Sequence, residues 1–330
     1  MRKTGNLLIL FQPSNKNYHL FDDLETEANV ILRCVYPIKK NYDSYFKSFM
    51  IRVVKKLSNY TKDIFPYLYF RTHNAKEIFK ELPNITNILV VDGAINYIDI
   101  DILQLCKRLR PNITLDFFLI NIINSDALMM KGVRNKMYKI DWNNIYTFDK
   151  GDAKKYGFKH LGFCYYSAPI LENVPTPSND IFLVATATHD RESMFHGIYK
   201  NLTKKGCLCD FHIKSYYQLE ERLNGIDYMD GKTYTYLEIL NMQQNSKCIL
   251  EILRGEQTGP SLRYFEAVCY NKKLLTNNPE IIHFPYYNEK YMRVFNNIEK
   301  IDIDWIKEDI NVDYKYKGDF SPREMIKHLS

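Results

Sequence analysis

Between Gln257 and Glu266 the chain sets a glycine turn, a hydroxyl, a guanidinium and a carboxylate within ten residues. The order Gln257-Thr258-Gly259-Pro260-Ser261-Leu262-Arg263-Tyr264-Phe265-Glu266 predicts a turn running into a helix from about Ser261 to Tyr270. A turn of this kind leaves first-turn N–H groups free and puts the positive end of the helix dipole beside them, which suits an anion such as phosphate. Ser261 stands where an N-cap belongs. Arg263 adds a cation, and Glu266, at i+3, shares nearly the same helix face. The set offers donors and a cation for phosphate, with a carboxylate one turn deeper for hydroxyl groups. An ordinary strand–turn–helix unit with an Arg263–Glu266 surface ion pair has the same pattern.

Other residues invite chemistry singly. Asp92 follows Val90-Val91 and precedes Gly93, so it stands at a strand's carboxyl end, where a carboxylate can take a proton from a hydroxyl; Asp-Gly is equally an ordinary turn. Asn121, Asn124, Asp126 and His19 are rivals for that role. Arg191, preceded by His189 and Asp190, lies at the start of a helix after a strand. There is no HExxH, GxSxG, P-loop, GxGxxG or Cys/His ligand spacing. Asp99-Ile100-Asp101 and Asp302-Ile303-Asp304 have metal-motif spacing, but one opens a helix and the other lies near the C-terminus. No metal and no cofactor are expected, and the charge of a leaving group falls to arginines and helix dipoles.

These residues need a scaffold, and hydrophobic periodicity supplies one. Strands are predicted at 7–11, 30–35, 87–91, 113–120, 144–148, 181–187, 207–214, 248–253 and from 273. Helices are predicted at 42–58, 75–81, 98–109, 149–157, 191–204, 234–244 and 322–329. The last follows Ser321-Pro322-Arg323-Glu324, a capping-box sequence with Pro at N1. Such alternation predicts an α/β fold of parallel, doubly wound sheets, and ENVPTPSND at 172–180 reads as the best linker. The expected domains are 1–172 and 181–320, Rossmann-like, joined by 173–180 and followed by a terminal helix at 321–330. A ligand is expected in the cleft, at the carboxyl ends of the strands.

A chain of 330 residues with 45% hydrophobic and 25% charged residues is globular rather than disordered. Net charge +6 suggests anionic partners without marking a nucleic-acid binder. The seven Cys form no metal set, and Cys207-x-Cys209 reads as packing, so reduced thiols of a cytoplasmic protein are expected. No stretch is long and apolar enough for a signal peptide or a span. Between Ile38 and Lys62 an apolar helical stripe is flanked by Lys39, Lys40, Lys47, Arg52, Lys55, Lys56 and Lys62. Such a helix can rest on an anionic membrane surface, or simply face a core with a solvated basic side.

The run Gln257–Ala267 followed by Lys272-Lys273-Leu274-Leu275-Thr276 resembles the donor-binding segment of bacterial GT-B glycosyltransferases of surface-polysaccharide synthesis (capsule, lipopolysaccharide, exopolysaccharide). Tyr146–Gly157 resembles the segment closing their first domain, and Ile181-Phe182-Leu183-Val184 with Arg191 the unit opening their second. The resemblance covers most of 144–278; before that it is one of pattern only. It implies two Rossmann-like domains facing a cleft, with a nucleotide-sugar donor and a lipid-linked oligosaccharide acceptor at the inner membrane face. It further implies that Glu266 holds the ribose, Arg263 and Arg191 the diphosphate, and Thr258 and Gly259 the sugar or phosphate, with His189 a further donor contact. A catalytic base would come from the first domain, where Asp92 is the candidate. Two departures stand out. Thr258 occupies the place of the first carboxylate of the family's Glu-x7-Glu pattern, and Ala185-Thr186-Ala187 replaces a glycine after the strand. Rival readings are an epimerase or a sialyl- or pyruvyltransferase on a related frame, and a non-enzymatic membrane- or nucleic-acid-binding protein.

Overall fold

The computed structural model describes residues 6–36, 73–125, 128–172 and 174–329. The basic stretch 38–62, with Lys39, Lys40, Lys47, Arg52, Lys55 and Lys56, lies outside the described residues, as does Asp126. The chain divides into two compact units. One comprises Met1–Lys16, Phe21–Phe148 and Asp152–Gly162; the other comprises Asn17–Leu20, Asp149–Gly151 and Phe163–Ser330.

The first unit carries β1 (Asn6–Phe11), β2 (Val30–Cys34), β3 (Ile85–Val91), β4 (Thr114–Leu119), β5 (Asn144–Thr147) and β6 (Lys159–His160). They form one sheet in the order β2-β1-β3-β4-β5-β6, with every neighbouring pair parallel. Leu8, Ile9, Ile88, Leu89 and Val90 are wholly buried, as the near-continuous apolar runs of a sheet covered on both faces require. The strand order reverses between β1 and β3. Here Gln12 follows β1 and Gly93 follows β3, and a Cβ on Gly93 would sit 2.2 Å from the Gln12 side chain. A side chain at 93 would displace the Gln12 amide.

The second unit carries β7 (Asn179–Thr186), β8 (Cys209–Lys214), β9 (Ile226–Asp227), β10 (Ser246–Glu251), β11 (Lys273–Thr276) and β12 (Met292–Val294). Its order is β12-β11-β10-β7-β8-β9, again all parallel, which is the doubly wound dinucleotide-fold order with its reversal between β7 and β10. The expected α/β architecture of two parallel, Rossmann-like sheets is thus present.

The boundary differs from the expected 173–180. It falls at Gly162/Phe163 because the following aromatics pack in the second unit: Tyr165 and Tyr166 lie 5.1 and 5.5 Å from Phe265, and Phe163 lies 5.0 Å from Phe284. The terminal helix Pro322–His328 belongs to that unit too. Ser321 caps it, but its hydroxyl accepts from the Arg323 N–H rather than from that of Glu324, so the expected box is not closed. A complete box stands instead at Thr235 and Glu238, opening the helix Tyr236–Gln244. Among the described residues no helix is long and apolar enough to cross a membrane.

Candidate functional site

At the reversal of the second sheet the chain leaves β10 at Glu251, turns, and enters the helix Leu262–Cys269. Ser261 caps this helix as expected, accepting from the Arg263 N–H at 3.1 Å. The left-handed residue of the turn is Gly255 (φ 46°), not Gly259. Glu251 is 2% exposed and organises the cap. Its Oε1 accepts from the Ser261 hydroxyl at 2.5 Å and N–H at 3.3 Å, and its Oε2 from the Thr276 hydroxyl at 2.5 Å. Burial pushes its pKa above the usual carboxylate range. Sequence pattern does not single Glu251 out; the only signal is an acid ending an otherwise apolar strand.

Arg263 and Glu266 pair at 2.7 Å, but not on the surface. Glu266 has no exposed area, so the bland alternative of a solvated ion pair is excluded. Its Oε1 also accepts from the Tyr236 hydroxyl at 2.7 Å, which in turn lies 2.7 Å from the Tyr166 hydroxyl. Arg263 Nη1 donates to Gln243 Oε1 at 3.0 Å. This leaves Gln243 Nε2 and Glu266 Oε2 buried without a hydrogen-bond partner, on either side of one guanidinium. Burial pushes the Glu266 pKa up to about 7, against the opposing pull of Arg263 and of the Tyr236 hydrogen bond.

The N–H groups expected to meet a phosphate have another acceptor. Thr258 and Gly259 donate to Asp149 Oδ2 at 2.8 and 2.6 Å, and the Thr258 hydroxyl lies 3.0 Å from the same oxygen. The N–H groups of Thr258 and Gly259, expected to meet sugar or phosphate, hold the chain's own carboxylate.

Arg191 likewise has partners within the protein. It is 6% exposed, its Nε donates to the Thr188 hydroxyl at 3.2 Å, and its Nη1 donates to Ile252 O at 2.8 Å. Its Nη2 donates to Thr186 O. The guanidinium therefore ties the carboxyl ends of β7 and β10 together, where the sequence reading put a diphosphate contact. His189 is exposed at the start of the helix His189–Lys204, its ring 4.1 Å from that of Tyr217. Glu192, one turn on, accepts from the Tyr217 hydroxyl at 3.0 Å and the Glu220 N–H at 2.7 Å, and so fixes the loop after β8.

In the first unit Asp92 has no exposed area. It accepts from the Gly93 N–H at 2.5 Å, the Ile120 N–H at 3.1 Å, and the Asn121 N–H and Nδ2, each at 3.0 Å. Burial raises its pKa to about 6 in spite of these donors. With one donor on Oδ1 and three on Oδ2, the carboxylate ties the ends of β3 and β4 together. The rival Asn121 is one of those donors, Asn124 is exposed, and His19 takes a left-handed φ of 53°. Both Asp-x-Asp pairs prove to be caps: Asp99 accepts from the Asp101 N–H and Asp302 from the Trp305 N–H. Among the described residues no group of three or more His, Cys, Asp or Glu could hold a metal.

No protein-family model and no curated protein sequence matches the chain. Among solved structures it is similar to the crystal structure of TarM, at 10% identity and a TM-score of 0.41, over 74% of this chain and 52% of that one. The chain thus spans about half the length of TarM as compared. It is also similar to the crystal structure of the glycotransferase of kitacinnamycin, at 10% identity and a TM-score of 0.40, over 93% and 89% of the two chains. Likenesses this distant assign no role to any residue.

Proposed function

We propose that this protein is a glycosyltransferase that moves a sugar from a nucleoside diphosphate to a glycan acceptor. The carrying observation is the pair of buried, unmatched polar atoms beside Arg263. Gln243 Nε2 is a donor without an acceptor, and Glu266 Oε2 an acceptor without a donor. Buried polar atoms are rarely left so, and each such group costs about 1–3 kcal/mol when unpaired. A ribose diol answers both, one hydroxyl accepting from Gln243 and the other donating to Glu266. The Arg263 guanidinium, at the first turn of a capped helix by the sheet reversal, then offsets charge on the adjoining diphosphate. This agrees with the roles that the family resemblance of Gln257–Ala267 implies for Arg263 and Glu266.

In the reaction the bond between the sugar's anomeric carbon and the diphosphate oxygen breaks. A bond from the anomeric carbon to an acceptor oxygen forms, and the acceptor's proton goes to a base that the described residues do not identify. The finer reading, carried by the resemblance alone, is a lipid-linked acceptor in bacterial surface-polysaccharide synthesis, served at the cytoplasmic membrane face without a metal. A thermal-shift screen with UDP, GDP, CDP and CMP tests the donor class. One nucleotide should raise the melting temperature in a concentration-dependent way, and no shift with any of them would overturn the reading. Labelled donor with and without acceptor then separates transfer from epimerisation.

A further inference from the structure

We propose that Asp149 is the positioning residue of this ligand site: its carboxylate holds the Thr258–Gly259 turn in the conformation from which Arg263 and Glu266 reach the ligand. The inference rests on the functional reading above. Asp149 lies 109 residues before Thr258 in sequence yet belongs to the same compact unit, and it is 1% exposed. One of its oxygens takes two successive backbone N–H groups, at 2.8 and 2.6 Å, the arrangement by which a turn holds a bound anion. The Thr258 hydroxyl reaches both carboxylate oxygens, at 3.0 and 3.1 Å, and accepts from the Gly151 N–H at 3.2 Å. The fit at Gly151 is close: a Cβ there would lie 2.9 Å from Asp149 Oδ1 and 3.1 Å from the Thr258 hydroxyl, so a side chain would displace one or both. From the other side Asn278 Nδ2 donates to Thr258 O at 3.3 Å, and the Asn278 N–H donates at 2.9 Å to the Thr276 hydroxyl that also serves Glu251. A continuous set of hydrogen bonds thus runs from Asp149 through the turn to Glu251, which holds the Ser261 cap.

Charge makes Asp149 suited to this. A carboxylate accepts both N–H groups with charge-assisted bonds, whereas an asparagine offers them only a neutral carbonyl oxygen and turns its NH2 toward the Thr258 hydroxyl. The turn is therefore set before a ligand arrives, and the ligand need not order it.

The test uses the full chain with Asp149→Ala and Asp149→Asn, hydrogen exchange over 254–261, and titration with UDP and GDP. Both variants should exchange the 258–259 amides at least about tenfold faster, with β10 still protected, and should weaken the dissociation constant of whichever nucleotide the wild type binds about tenfold or more. Formate, which can refill the carboxylate's place, should restore part of the affinity to Asp149→Ala and leave the wild type unchanged. If Asp149→Ala fails to fold, Asp149→Asn carries the comparison. Wild-type exchange or wild-type affinity in the variants would overturn this inference alone. Absence of nucleotide binding by the wild type would instead overturn the functional reading on which it rests.

Discussion

Asp92 and Glu266 are both fully buried carboxylates near the carboxyl end of a parallel sheet, and both have raised pKa values, about 6 and about 7. They differ in how their oxygens are used. Asp92 takes four hydrogen bonds, three of them from backbone N–H groups. Glu266 shares one oxygen between Arg263 and Tyr236 and leaves the other unmatched. Burial and a shifted pKa therefore do not mark a functional carboxylate by themselves. The hydrogen bonds separate the two: both oxygens of Asp92 are engaged within the protein, and one oxygen of Glu266 is not.

That contrast can be broken most severely at Asp92. Replacing it with Ala leaves four donors without their acceptor and should lower stability by about 4 kcal/mol in urea unfolding, with nucleotide affinity unchanged in the folded fraction. Unchanged stability with lost activity would give Asp92 the role of base. Next, Arg263→Ala should cost about 3 kcal/mol, since it strips the buried Glu266 of its cation, and should abolish nucleotide binding by calorimetry. Milder still, Glu266→Gln keeps the shape of the side chain and should weaken nucleotide binding at least tenfold, about 1.4 kcal/mol or more.

The pH dependence sharpens the same point. The Glu266 pKa is raised from 4.5 to about 7, so the folded chain holds this proton more tightly than the unfolded one. Its contribution to stability is complete below pH 4.5 and is lost as the pH rises to about 7. Glu266→Gln should remove that decline, seen by comparing urea midpoints across this window; an unchanged slope would mean that Glu266 does not titrate there. The smallest effect is expected at the cap of the helix that carries Tyr236 and Gln243. Thr235→Ala opens the capping box of the helix Tyr236–Gln244 and should cost about 1 kcal/mol, with a slight loss of affinity through Tyr236 and Gln243.

Strand–helix alternation was readable because parallel strands buried on both faces carry unbroken apolar runs, as at Leu7–Phe11 and Cys248–Leu250. Elements of two or three residues, such as β6, β9 and β12, are too short to give such a signal, and in the helix Leu128–Met137 Lys131, Gly132 and Arg134 interrupt the apolar run. The turn, the Ser261 cap and the Arg263–Glu266 spacing were readable because they are local. What the guanidinium of Arg191 and the oxygens of Asp92 bind was not, since their partners come from other strands and loops. Asp149 and Glu251 escaped for the same reason: the groups they hold lie 109 and as many as 25 residues away. Chain sequence identifies which groups can bond, and only the fold decides which of them already have.

The central claim is that Glu266 is a buried carboxylate waiting for a hydroxyl. A crystal soaked with the nucleoside diphosphate that the wild type binds tests this most directly. The account predicts a ribose hydroxyl within hydrogen-bond distance of Glu266 Oε2 and the diphosphate beside Arg263. A nucleotide seated elsewhere, with Glu266 still enclosed and untouched, would contradict it.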